Sequence, residues 1–171
     1  MCVVATLGIR RAVYAHLDSR QVARVIYGAI IGLALVVALE QHPPTAGFVA
    51  ASMVATAFAV GLAEMYSEVV GTETRSRRRV RRDELAHIAR NAVAVAFGIS
   101  FPTVFFVGAM AGVIETETAF TVAKWSGVGL IAFYGYCAAR LAGNRLPGAL
   151  LQAFAVALIG ALLIAIKALL H

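Results

Sequence analysis

Apolar residues gather into five long runs: Val22 to Leu39, Ala46 to Val70, Asn91 to Ile114, Phe120 to Leu141, and Leu146 to Leu170. A helix needs roughly 20 residues to cross about 30 Å of hydrocarbon, and each run is near that length. Backbone polar groups facing lipid find no water to bond, so spanning segments of this kind are expected to be helices. Short polar hinges separate several of the runs: Gln41-His42-Pro43-Pro44, Glu115 to Thr118, and Gly143-Asn144-Arg145. Pro147 opens the last run, where proline suits the first turn of a helix. The pattern predicts an all-α integral membrane protein with five transmembrane helices over about 22–39, 46–70, 91–114, 120–141 and 146–170. They form one membrane domain, 22–171, interrupted by a basic segment at 71–90.

The segment 1–21 reads differently. Arg10, Arg11 and Arg20 alternate with Val13, Leu17 and similar residues, the pattern of an amphipathic helix lying on the membrane surface. No small-residue cleavage site follows Leu39, so the first run is expected to stay in the mature protein.

Composition supports the same class. Of 171 residues 61% are hydrophobic and only 14% charged, against about 25% charged in an ordinary soluble domain. Too little charge remains to cover a water-exposed surface. Cys2 and Cys137 make neither a disulfide framework nor a metal-ligand spacing. No nucleophile–base pair or phosphate loop is visible, so an enzyme is not expected.

The net charge of +6 is placed unevenly. Arg10, Arg11, Arg20 and Arg24 precede or enter the first run; Arg75, Arg77, Arg78, Arg79, Arg81, Arg82 and Arg90 lie between the second and third; Arg140 and Arg145 lie around the connection between the fourth and fifth. The alternate loops carry no Lys or Arg, and one holds Glu115 and Glu117. Loops rich in Lys and Arg stay in the cytoplasm, which puts the N-terminus inside and His171 on the opposite side. A prokaryotic plasma membrane is the expected location. The run Arg75 to Arg82 could bind nucleic-acid phosphates. Beside a membrane span, orientation and attraction to anionic lipid head groups explain it better, and no nucleic-acid partner is expected. His87 reads as a solvated interfacial histidine.

Charges within apolar runs are costly and mark either function or an interface. Glu64 and Glu68 are one helical turn apart on one face, with Met65 adjacent and Glu73 just beyond. Two carboxylates and a thioether could form an entry site for a divalent cation. Equally, the glutamates could sit at the inner interface and pair with neighbouring arginines. Lys124 could snorkel outward or pair with Glu40, Glu115 or Glu117, and Lys167 is expected to snorkel. Gly28-x-x-x-Gly32 and Gly108-x-x-x-Gly112 would let helix backbones approach closely, within the fold or in a dimer. Gly98 and Pro102 are expected to kink or open the third span.

These motifs resemble the vacuolar iron transporter family. Val25-Ile-Tyr-Gly-Ala29 with Gly32-Leu33 is similar to its opening signature, and Ala63-Glu64-Met65-Tyr66-Ser67 to its Gly-Glu-Tyr-x-Ser stretch. Phe97-Gly98-Ile-Ser-Phe-Pro102 matches its Gly-x-x-x-Pro spacing, while Gly135 to Gly143 and Gly148-Ala149-Leu150 resemble its connection between spans four and five. The resemblance implies a five-span fold with an amphipathic N-terminal helix, a homodimer, and export of iron or manganese by proton exchange, with Glu64 on the family's glutamate. Ile31 and Val60 stand where the family has an aspartate and a methionine, and a short arginine-rich helix replaces its long glutamate-rich segment.

Two functions follow. A metal transporter, with Fe2+ or Mn2+ as cargo and no resident cofactor, would place Glu64 toward a polar cavity. A non-transporting scaffold or lipid-contacting protein would point Glu64 at head groups and pair it with Arg75 or Arg77.

Overall fold

The computed structural model describes residues 19–169, which form six helices: α1 (Ser19–Leu39), α2 (Ala46–Ser76), α3 (Arg82–Ser100), α4 (Thr103–Met110), α5 (Thr116–Leu141) and α6 (Leu146–Leu169). No strand occurs among the described residues. Most of the amphipathic segment expected over 1–21 lies outside them, as does the side chain of Lys167. The protein is all-helical. By length and composition α1 and α2 could each span a membrane, and α3 with α4 makes a third span if that bent pair is counted as one.

The helices run alternately up and down. Helix α1 is central, packing chiefly on α3 and α5 and only lightly on α6 and α2, whereas α2 leans on α3 and α4. In the most apolar 18-residue stretch of each, 44% of α1 is buried and 28% of α2, which places α2 at the edge. Helix α2 has 31 residues, about 46 Å at the α-helical rise, and outruns the expected span by continuing to Ser76. Helices α5 and α6 have 26 and 24 residues, enough for 30 Å. The sequence of α5 is diluted by Lys124 and by glycines and tyrosines, and the described apolar part of α6 is Leu146–Leu162.

Among the described residues, three apolar clusters hold the bundle. Val36, Val49, Met53, Phe106 and Phe120 join α1, α2, α4 and α5 at the end away from the arginines, with the Phe106 and Phe120 rings edge-to-face at 4.9 Å. Leu33, Val37 and Ile131 tie α1 to α5, with Val156 of α6 against them. Ala57, Val95 and Ile99 join α2 to α3, with Ile31 and Val60 alongside.

Two expectations about glycine need correction. Gly28 and Gly32 do let another backbone approach, but that backbone is α3 of the same chain. A methyl group on Gly28 would strike Val95 O, and one on Gly32 would lie 2.8 Å from Ile99 O. This face is used within the fold and cannot serve a dimer. Gly108 and Gly112 do not share a helical face, because α4 ends at Met110 and Gly112 takes a left-handed φ of 72° in the turn beyond it. The expected kink is present as a 47° bend between α3 and α4. Pro102 causes it, since proline has no N–H to continue the ladder. Gly98 serves a different purpose: it is a packing position seated against Val25, Gly28 and Ala29 of α1.

The turn from α2 to α3 is built from its own charges. Helix α2 ends with Arg77 in the left-handed region, φ 52°. Glu73, expected as an outlying member of the acidic site, accepts a hydrogen bond from Val80 N at 3.2 Å and so closes the turn. Glu84 accepts from Arg81 N at 2.9 Å and from Arg78 Nη1 and Nη2 at 2.9 and 2.6 Å, capping α3. The Arg78 hydrogen bonds, helped by that of Arg81 N, hold the Glu84 carboxyl down to about 2. Because the folded value lies below the unfolded one of about 4.3, its stabilising contribution is full above the unfolded value. It is lost as pH falls from there toward 2. A carboxyl-carbon NMR titration is expected to show a Glu84 midpoint near 2, rising toward the ordinary value in Arg78→Gln.

Candidate functional site

The arginine-rich end of the bundle contains a polar cavity of about 920 Å³ between α1, α2 and the start of α3. At this end the glycine face of α1 is filled by α3, and α2 reaches α1 there through the long side chains of Glu64, Glu68 and Arg24. Arg24, Glu64, Ser67, Glu68, Arg75 and Asn91 are among the residues lining it.

Glu64 and Glu68 project from the same face of α2 toward α1. Arg24 reaches across and forms an ion pair with Glu64, and its Nη2 lies 3.6 Å from Glu68 Oε2. The glutamate side chains are 17% and 22% exposed and that of Arg24 33%, so water reaches the group and screens it in part. From α3, Asn91 Nδ2 donates to both oxygens of Glu68 at 3.3 Å. Asn91 is 1% exposed, the one buried polar residue among those described, on the face that carries Ile88, Ala92 and Val95. The charge of Glu68 fixes which end of the amide faces it. Asn91 Oδ1 is left buried without a hydrogen-bond partner, an arrangement that ordinarily costs about 1–3 kcal/mol.

One turn deeper, the apolar cluster of Ala57, Val95 and Ile99 closes the space, with Ile31 and Val60 packed against it. The two positions at which the family resemblance calls for an aspartate and a methionine are therefore both partly buried against the same apolar cluster.

Other expected site residues lie elsewhere. Met65 faces a separate apolar groove with Phe58, Leu62, Ala89 and Val93. The expectation that its sulfur joins the carboxylates is corrected, because a residue next in sequence points about 100° around the helix. Lys124 Nζ donates to Glu40 Oε1 and Oε2 at 2.6 and 2.9 Å, choosing Glu40 over Glu115 or Glu117. That pair lies at the opposite end of α1 from Arg24. Arg75 lines the cavity while its Nε donates to Gly71 O at 3.2 Å. Arg78 pairs with Glu84, and Arg81 Nε lies 3.4 Å from Asp83 Oδ1. Arg77, Arg79 and Arg82 are exposed. Glu64 thus faces the cavity, and its ion-pair partner is Arg24 instead of Arg75 or Arg77.

Sequence reading missed Arg24, taken as a topology residue, and Asn91, taken only as the start of a span. For Asn91 a signal existed: an amide sharing the period of Ile88, Ala92 and Val95 must be buried and must find a partner.

Among the described residues, no group of three or more His, Cys, Asp or Glu side chains gathers as a metal site. The oxygens that do converge on the cavity are those of Glu64 and Glu68, hard donors suited to cations such as Mn2+ or Mg2+, while Asn91 faces Glu68 with its Nδ2. No protein family model, curated protein or solved structure matches the chain.

Proposed function

We propose that the chain is a five-span membrane protein that moves a divalent metal cation, Fe2+ or Mn2+, out of the cytoplasm in exchange for protons. The observation carrying this reading is that Glu64 and Glu68 converge with buried Asn91 on a water-accessible cavity between helices. Carboxylates bind metal only when deprotonated, so loading a cation releases protons and unloading takes them up. The up-and-down order of α1, α2, α3 with α4, α5 and α6 supports five crossings, with every arginine-bearing connection at the cavity's end. A homodimer, which the resemblance implies, would use faces other than that of Gly28 and Gly32.

Proteoliposomes loaded with a metal-sensitive dye test the reading. Uptake of Mn2+ or Fe2+ driven by a proton gradient is expected for the wild type, and its loss for Glu64→Gln and Glu68→Gln. Glu73→Gln, altering the turn outside the cavity, is expected to transport normally. A folded wild type that takes up no metal above empty liposomes would sink this proposal. The apolar closure by Ile31 and Val60 would then favour the non-transporting membrane protein.

A further inference from the structure

We infer that Arg24 is a tethered cation that occupies the binding site of the resting protein, and that an incoming divalent cation must displace it. The inference rests on the cation-binding reading of the cavity and identifies what controls entry. Arg24 is the group seated on both carboxylates, paired with Glu64 and 3.6 Å from Glu68. A guanidinium placed there neutralises one of two adjacent negative charges and blocks the position from which both can be reached. It also leaves the site unfinished, because Asn91 Oδ1 is a buried acceptor with no donor, although Arg24 carries several N–H groups. Arg24 therefore satisfies the carboxylates but not the amide.

A divalent cation fits what remains. It would neutralise both carboxylates and draw the Asn91 oxygen to itself once the amide turns over, giving three oxygens from α2 and α3. Arg24 is one-third exposed and close to the start of α1, so its long stem can carry the freed guanidinium toward the polar end of the bundle. Arg75, on the cavity wall, repels both the incoming cation and the released guanidinium. Apparent affinity is then the intrinsic affinity multiplied by the fraction of time Arg24 is away. A side chain that is seated about nine-tenths of the time weakens binding roughly tenfold.

The prediction runs opposite to that for a structural ion pair, whose removal would weaken any site built on it. Mn2+ binding to the full-length protein in detergent, followed by loss of the free-ion electron paramagnetic resonance signal, gives the test. Arg24→Gln is expected to bind Mn2+ about tenfold tighter than wild type. Arg24→Lys, which keeps the charge but lacks the two-pronged fork, is expected to fall between them. Added Mn2+ is also expected to raise the melting temperature of Arg24→Gln more than that of wild type, by occupying the vacated carboxylates. If Arg24→Gln does not fold without metal, Arg24→Lys carries the comparison alone. Binding that depends on Glu64 but is equal or weaker in the folded Arg24 variant would overturn the tethered-cation inference and leave the metal-binding reading intact. Absence of Mn2+ binding in wild type and both variants would overturn both.

Discussion

Gly98→Ala is expected to disrupt the bundle, with a loss of about 3 kcal/mol, the upper end for an overpacked core. The added methyl would strike Val25 O and would lie 2.6 Å from Ala29 N and 2.9 Å from Gly28 C. All three are main-chain atoms of α1, so no rotamer change relieves them and the helices must move apart. The contact is reciprocal, since Gly28 is pressed against Val95 of α3 in the same way, and Gly28→Ala is expected to cost a similar amount. Gly129→Ala is the control: nothing lies within 4 Å of its added carbon, and alanine gains about 1 kcal/mol over glycine inside a helix. Thermal unfolding in detergent, followed by circular dichroism, separates these outcomes. A Gly98→Ala melting temperature equal to that of wild type would mean that α1 and α3 are not in the close contact described.

The same glycines show how far the sequence could be read. A glycine every fourth residue says that some backbone comes near; it does not say whose. Val95 and Ile99 are far along the chain from Gly28 and Gly32, and only the folded chain reveals that the partner is internal. The helices themselves were legible because lipid-like hydrophobicity and loop polarity are local properties. The bend at Pro102 was legible for the same reason, being a covalent consequence of proline. Glu64 and Glu68 stood out because a helical turn separates two costly charges. That Arg24 and Asn91 are their partners did not, since these come from different helices, although the burial of Asn91 was itself readable from its period. The misreading of Met65 was avoidable: adjacency in sequence is not adjacency on a helix face. Glu73 was misplaced because the helix outlasts the apolar run, and the hydropathy pattern does not show where α2 ends.

Lys124→Met is expected to destabilise the protein by about 2 kcal/mol, although methionine is the more apolar side chain. Lys124 joins α5 to Glu40 at the end of α1 by two short hydrogen bonds, with side chains 19% and 32% exposed. Breaking a fully buried pair by removing one partner costs roughly 3–5 kcal/mol, because the other charge is stranded. The exposure of Glu40 brings that figure down, since water can still reach its carboxylate. Removing the charge from both sides, in Lys124→Met with Glu40→Gln, is therefore expected to recover most of the loss. A double-mutant cycle measured by unfolding in detergent isolates the coupling, and a coupling near zero would show that the pair does not hold α5 to α1. The pair also separates stability from function. It lies at the far end of α1 from Arg24, so Lys124→Met should lower the melting temperature while leaving Mn2+ affinity unchanged. Arg24→Gln is expected to move the affinity itself. A bundle held at one end by a charge pair and loaded at the other by displacing one would need both results.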